Sequence, residues 1–372
     1  MANLLDYLDW RGDLAFGQSP FNEVDNVILA QLSYVNMDGI VPLKESGGEV
    51  ALAEAARRYF EQHDEERIRS FGYMQRNAAL LFKKCAATAR FADVRLSRYE
   101  NQIDWDLAKQ FAALHFRLPD GTVYVAFRGT DDTIIGWKEN FHMSFQDVIP
   151  AQLEAVRYLE ETAGNLHAPL RLGGHSKGGN LAVYAAVMCD PAIQNRIVEV
   201  YNNDGPGFAS HILEHEAYRR MRGKIRTIVP RLSVVGMLLE HEEPQVVVRS
   251  SQMFLLQHDP LSWEVLGSRF VRAEQVAKES RMIEAAIRSW LQQLSPAERK
   301  QFVDNLFAIF EKANIRSVHD LTRAKWRNVI QMVRMLNQSE EHKVVLARSL
   351  KVLFQEGRRA FWSMRRERIK GD

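Results

Sequence analysis

Arg171-Leu172-Gly173-Gly174-His175-Ser176-Lys177-Gly178-Gly179-Asn180, followed by the apolar run Leu181-Ala182-Val183-Tyr184-Ala185-Ala186-Val187, is the stretch on which the reading of the whole chain depends. Within it, Gly174-His175-Ser176-Lys177-Gly178 fits G-x-S-x-G, the pattern of a strand that turns sharply into a helix with a serine at the apex. Side chains two positions to either side of the serine would collide in such a turn, which accounts for glycine at both 174 and 178. The helix that follows starts just past the serine, so its first backbone N–H groups face any negative charge developing beside Ser176. The neighbours supply the setting that the pattern requires. Ala168 to Leu172 reads as a short strand, and Asn180 to Met188 as an Ala-rich helix.

A chain of 372 residues holds one large domain or two ordinary ones, and 46% apolar with 26% charged residues allows a sizeable core. A formal charge of +2 gives no global argument for nucleic acid, and none is expected as a partner. Cys85 and Cys189 are the only cysteines, too few for a disulfide framework or a four-cysteine metal site. Met1-Ala2-Asn3-Leu4-Leu5-Asp6-Tyr7 lacks a basic region ahead of an apolar core, and no run of about 18 apolar residues occurs anywhere. The expectation is a soluble, cytoplasmic protein.

Outward from the elbow, apolar spacings of three and four predict helices over Asp25 to Tyr34, Glu49 to Gln62 and Tyr73 to Ala87. Val94 to Asn101, Phe111 to Leu118 and Val123 to Phe127 have strand character. Pro119-Asp120-Gly121 joins the last two as an antiparallel hairpin. A helix from Ile149 to Gly164, with Leu153, Val156 and Leu159 on one face, leads into the elbow strand. After the elbow helix, Ile197 to Tyr201 reads as the next parallel strand and ends in Asn202-Asn203-Asp204-Gly205-Pro206-Gly207. Ile225 to Val229 and Gln245 to Arg249 are further strands; Val234 to Leu239 between them reads as an apolar helix or lid. From Gly267 onward no strand signal is seen. Ser295-Pro296-Ala297-Glu298 is a capped helix start, with further starts at Ser317 and Ser339. The expected architecture is an α/β-hydrolase fold over residues 1–266, a mostly parallel sheet flanked by helices with an N-terminal antiparallel hairpin, and an all-helical region over 267–372.

A serine attacks at neutral pH only with a base to take its proton, and the base needs an orienting carboxylate. In this fold the chain order is serine, acid, histidine. Asp204, at the end of the strand after the elbow helix, is the favoured acid, and Glu240 the alternative. His258, in a loop marked by Asp259-Pro260, is the favoured base, with His241, His211 and His215 as alternatives. Two N–H donors for an oxyanion are expected from the backbone of Lys177 and Thr130, with the Thr130 hydroxyl as a third. The Lys177 ammonium either favours an anionic substrate or points into water, and His175 reads as packing. A metal is not expected. The one H-x-x-x-H, His211 to His215, would put two imidazoles on one helix face but has no third ligand at a recognisable spacing. No cofactor is needed.

Val125-Ala126-Phe127-Arg128-Gly129-Thr130 followed by Trp137 resembles the oxyanion loop of the class 3 (fungal-type) lipases, and the spacing to the elbow fits that family's order. Asp6 to about Val265 resembles more closely a bacterial family of uncharacterised, lipase-like α/β-hydrolases. The phrases that carry this are Asp6-Tyr7-Leu8-Asp9-Trp10-Arg11-Gly12, Glu139-Asn140-Phe141, Asn202 to Phe208 and Gln257-His258-Asp259. The resemblance implies a lipase-like fold and a histidine followed closely by Trp263. Two departures stand out. Lys177 occupies a place that is usually leucine in lipases, and Val229-Pro230-Arg231-Leu232-Ser233, where their acid usually lies, has no carboxylate.

The expected function is hydrolysis of a carboxylic ester, of acylglycerol or phospholipid type, by Ser176, His258 and Asp204. A thioesterase or peptidase would use the same residues. From a different class, a non-catalytic hydrolase fold could bind a protein partner through its helical C-terminal region. The basic, aromatic stretch Arg358 to Lys370, with Phe361, Trp362, Met364 and Arg365, fits a peripheral contact with an anionic membrane surface. A terminal helix packed through Trp362, with a solvated basic face, fits it better.

Overall fold

Alternate residues of the central strand Val123–Phe127 look in opposite directions: Tyr124 and Ala126 enter one apolar cluster, Val123, Val125 and Phe127 the other. This computed structural model describes residues 2–104, 109–131, 138–140, 142–143, 146–252, 254–277, 289 and 293–312. The helices α1 (Leu4–Arg11) and α2 (Glu23–Leu32) come first. Next are the short strand β1 (Val50–Ala51) and helices α3 (Leu52–Gln62), α4 (Glu65–Ser70) and α5 (Tyr73–Ala86). The strands β2 (Arg95–Asp104), β3 (Lys109–Arg117) and β4 (Val123–Phe127) follow. Then come α6 (Pro150–Ala163), β5 (Leu170–His175), α7 (Lys177–Met188) and β6 (Ile197–Asn203). Short helices α8 (Ser210–Leu213) and α9 (Glu216–Met221) precede β7 (Ile225–Pro230) and β8 (Gln245–Val248).

These eight strands form one sheet in which each strand lies beside its predecessor in the chain, from β1 through to β8. The pairings from β1 to β4 are antiparallel, and those from β4 to β8 are parallel. The hairpin at Pro119-Asp120-Gly121 forms as expected, with Gly121 at φ +83°, a conformation open to glycine. Residues of α1, α2, α3 and α5 share one cluster with Tyr124 and Trp263; α6, α7 and α9 fill the other. Helices on both faces of a mostly parallel sheet, with the serine turn at its centre, make this an α/β-hydrolase fold.

Two expectations fail here. On α6 the buried residues include Ala151, Ala155, Tyr158, Leu159 and Thr162, while Leu153 is 60% exposed. Small residues and a hydroxyl that bonds back to the helix (Thr162 Oγ1 to the Tyr158 carbonyl, 2.6 Å) let α6 lie close on the sheet, so the apolar stripe read from leucines was rotated. Strand structure also continues past Gly267. Arg269–Phe270 pairs with Val265–Leu266 about a turn at Gly267, φ +65°, and the Ala273 amide bonds the Val247 carbonyl at 2.9 Å. Pro296–Lys312 is helical, and Ser295 starts it by exchanging bonds with Glu298. The starts at Ser317 and Ser339, and the stretch 358–370, lie outside the described residues, as does Trp137.

Candidate active site

Ser176 stands between β5 and α7 at φ +58°, ψ −132°, a backbone conformation that costs a non-glycine residue about 1–3 kcal/mol. The glycines around it permit the approach. A Cβ on Gly174 would fall 2.5 Å from the Phe127 carbonyl oxygen, and one on Gly178 would fall 2.8 Å from the Gly129 nitrogen. Neither space holds a carbon. Gly129, leaving β4, would carry its own Cβ 3.3 Å from the Ser176 Cβ, so the Arg128-Gly129-Thr130 backbone lies directly against the serine. Lys177 is the first residue of α7, and a first-turn N–H has no partner within its helix.

Asp204 ends β6 in a left-handed conformation, φ +51°, and is fully buried. Its amide bonds the Ile228 carbonyl on β7 at 2.8 Å, which turns the carboxylate back over the sheet edge. Oδ2 accepts from His258 Nδ1 at 2.6 Å, and Oδ1 accepts from the Ser233 hydroxyl. His258 closes a 3-10 turn, Phe254–His258, anchored by the Trp263 indole N–H on the Gln257 carbonyl at 2.9 Å. With Nδ1 committed to Asp204, Nε2 is the nitrogen left to exchange a proton.

Both residues meet the elbow through its neighbours. The imidazole of His175 is buried, lies 4.5 Å from the His258 ring centre, and donates from Nε2 to the His258 carbonyl at 2.8 Å. That carbonyl can only accept, which fixes the tautomer and leaves Nδ1 to accept from the Tyr34 hydroxyl at 3.3 Å. Burial, with the nearby His258, pushes the His175 pKa well below the usual value, so the ring is neutral. On the other side, a Cβ on Gly205 would run into the Ser176 carbonyl oxygen. Ser176, Asp204 and His258 therefore share one end of the sheet, at the C-terminal edge of its parallel strands.

The alternatives fall elsewhere. Glu240 is exposed and pairs by its backbone with Phe208, at 2.9 and 3.1 Å; the carboxylate on His258 is that of Asp204. His241 has its own acid, Glu243, at 2.8 Å, which also accepts from Tyr218 and Thr227. Burial opposes the Glu243 charge, but these bonds outweigh it and hold its carboxyl down to about 2. His211 is exposed on α8, and the chain breaks helix before His215, whose Nδ1 accepts from the Ala217 amide as the N-cap of α9. The two imidazoles are thus not on one helix face. Among the described residues, no three or more His, Cys, Asp or Glu side chains are grouped to hold a metal ion.

Lys177 does neither of the things its sequence position suggests. Its ammonium is fully buried, pairs with Glu139 Oε2 at 2.5 Å and donates to the Gln110 carbonyl at 2.7 Å. The Thr130 hydroxyl donates to Asn140 Oδ1 at 3.0 Å, so its one proton is committed away from the third oxyanion bond expected of it. The apolar segment Val234 to Leu239 is a wall of the site. Only Val235–Met237 is a 3-10 turn, and Gly236 backs onto Ser233 and the Asp204 carboxylate. The Leu238 carbonyl accepts the Gly207 amide at 2.8 Å, and Leu239 stands at φ +62°.

Ser233, Glu139 and the pair Asn26–Asn203 are site residues that sequence reasoning missed. Asn203 donates to the Gly174 carbonyl at 3.0 Å and bonds Asn26 on α2, which in turn accepts from Tyr124 at 2.8 Å, fixing the elbow strand from behind. The paired asparagines before Asp204 were the visible signal. Ser233 carries no such signal, because a hydroxyl in Val229-Pro230-Arg231-Leu232-Ser233 is not a carboxylate.

Comparison with solved structures gives low-identity likenesses to lipases. A Rhizomucor miehei lipase in its propeptide complex is 16% identical, with 42% of this chain and 57% of that one covered and a TM-score of 0.34. M37 lipase is 14% identical over 59% and 71%, TM-score 0.35, and Lip2 lipase from Yarrowia lipolytica 15% over 52% and 74%, TM-score 0.32. The chain thus spans little more than half the length of the first of these. It matches none of the curated proteins. The Mbeg1-like family model matches residues 85–308, more than half of the chain, and the chain belongs to that family.

Proposed function

We propose that this member of the Mbeg1-like family hydrolyses a carboxylic ester with Ser176 as nucleophile, His258 as base and Asp204 as its orienting acid. The observation that carries the proposal is the 2.6 Å His258–Asp204 bond at the same edge of the sheet as a serine held at φ +58°. His258 Nε2 takes the Ser176 proton as Oγ attacks the ester carbonyl. The N–H groups of Lys177 and Thr130 receive the oxyanion. Collapse of the tetrahedral species expels the alkoxide, which takes the proton from His258. Water then enters, gives one proton to His258 and cleaves the acyl-serine, and the proton returns to Ser176 as the acid leaves. Throughout, Asp204 with Ser233 holds the imidazole in the tautomer that presents Nε2.

A lipid-type ester, acylglycerol or phospholipid, is the substrate class we favour. The likeness of Val125 to Thr130 and of the elbow to class 3 lipase motifs supports it. In the same proposal, the basic, aromatic stretch 358–370 makes a peripheral contact with the lipid surface.

The test is labelling by a neutral fluorophosphonate, with Ser176→Ala, His258→Ala and Asp204→Asn alongside. Labelling of the parent that vanishes in the serine and histidine variants supports the mechanism, and Asp204→Asn reports on the acid. A folded parent that resists labelling refutes it. Turnover of p-nitrophenyl esters of increasing acyl length then reads the substrate class.

A further inference from the structure

Two consecutive residues that take no part in the proposed chemistry, Glu139 and Asn140, hold both sides of the proposed oxyanion hole. Glu139 is fully buried; its Oε2 accepts from the Lys177 ammonium at 2.5 Å and the Gln110 amide at 3.2 Å. Its Oε1 accepts from the Ala151 amide at the start of α6, at 3.1 Å. The Gln110 side chain takes the Asp131 amide at 3.3 Å, and Asn140 takes the Thr130 hydroxyl at 3.0 Å. Lys177 and Thr130, whose N–H groups are the proposed donors, are therefore tied through their side chains to adjacent residues. Neighbouring Cα atoms stand about 3.8 Å apart across a trans peptide, so the two ties have a fixed spacing.

Stability alone is a poor reason for this arrangement. Two fully desolvated charges contribute little net stability compared with apolar side chains of the same volume. What the pair adds is direction: it fixes where α7 begins relative to the backbone that leaves β4. We propose that Glu139-Asn140 is a positioning clamp that sets the separation of the two oxyanion donors. The proposal rests on the hydrolase reading above.

The experiment follows fluorophosphonate acylation against probe concentration, separating the maximal rate from the half-saturating concentration, with thermal unfolding in parallel. The double variant Glu139→Leu/Lys177→Leu removes both charges together, where either change alone would strand a buried ion. Asn140→Ala acts at a half-buried place and Asn140→Asp keeps the acceptor oxygens. The folded double variant is expected to lose about 10- to 100-fold in maximal rate, and Asn140→Ala roughly tenfold, at unchanged half-saturation. Asn140→Asp is expected to restore the rate. Folded variants acylated at the parental maximal rate would overturn the clamp and leave the hydrolase reading standing. A parent that is not labelled overturns both. Should the double variant not fold, the two Asn140 variants decide.

Discussion

Gly178→Ala tests the elbow with the smallest available perturbation, a single methyl group. The new carbon would sit 2.8 Å from the Gly129 nitrogen and 2.9 Å from the Arg128 carbonyl carbon, and nearer still to the Phe127 carbonyl oxygen. Ordinary contact begins at 3.4 Å, so more than half an ångström must be found, and all three obstacles are backbone. No side chain can swing aside. Either α7 moves off β4 or the Arg128–Gly129 backbone moves off the serine, and both change the distance between the Lys177 and Thr130 amides. Overpacking of this kind costs roughly 1–3 kcal/mol of stability. Misplacement of catalytic groups by about 1 Å costs about a hundredfold in rate. The expected result is a folded protein with a lower unfolding midpoint, acylated by fluorophosphonate about 10- to 100-fold more slowly than the parent. Gly223→Ala is the control, since nothing lies within 4 Å of its would-be Cβ, and it should change stability by no more than about 0.5 kcal/mol. A Gly178→Ala protein that is acylated within twofold of the parent would refute the steric account of the elbow.

Three further outcomes are expected. Ser233→Ala removes one of the bonds to the buried Asp204 carboxylate and should lower the urea unfolding free energy by about 1.5–3 kcal/mol, with slower acylation; an unchanged midpoint would count against the assigned bond. Glu243 has its pKa lowered from 4.5 to about 2 in the fold, so it contributes about 3 kcal/mol that is fully present above pH 4.5 and is lost as pH falls through 2. Roughly half of that contribution should disappear between pH 5 and pH 3, and Glu243→Gln should flatten this limb of urea-unfolding stability against pH; a parent and variant with parallel pH profiles would contradict it. On α6, Leu159→Ala should cost about 2–5 kcal/mol in urea unfolding, whereas the exposed Leu153→Ala should cost under about 0.5 kcal/mol; equal costs would mean that the buried face is misassigned.

What could be read from the chain beforehand follows from how local each constraint is. The elbow was legible because its glycines answer to atoms a few residues away or on the neighbouring strand. The hairpin at Gly121 was legible for the same reason. The α6 face is not legible from its leucines, because alanine and threonine are the residues that let the helix approach the sheet. Lys177 could not be interpreted from its own neighbourhood. The carboxylate that takes its charge is Glu139, on a segment brought in by the turn from β4 to α6. Chain order and loop position favour Asp204 over Glu240 and His258 over His241, but they do not show which residues meet. The difference lies in which pairs meet, and both histidines do find a carboxylate, Asp204 in one case and Glu243 in the other.

The order of the sheet has a consequence for synthesis. Because every strand pairs with the one made just before it, the sheet can be extended strand by strand as the chain emerges, with only the newest edge awaiting a partner. Ser176 and Asp204 belong to the middle of that sequence, just past the ends of β5 and β6, while His258 follows β8. A growing chain would thus carry the serine and the acid in a nearly complete sheet well before it carries the base. On the proposed mechanism, reactivity at Ser176 would appear only when the turn at Phe254–His258 docks, and acylation would then read out the last step in assembling the α/β unit as well as its chemistry.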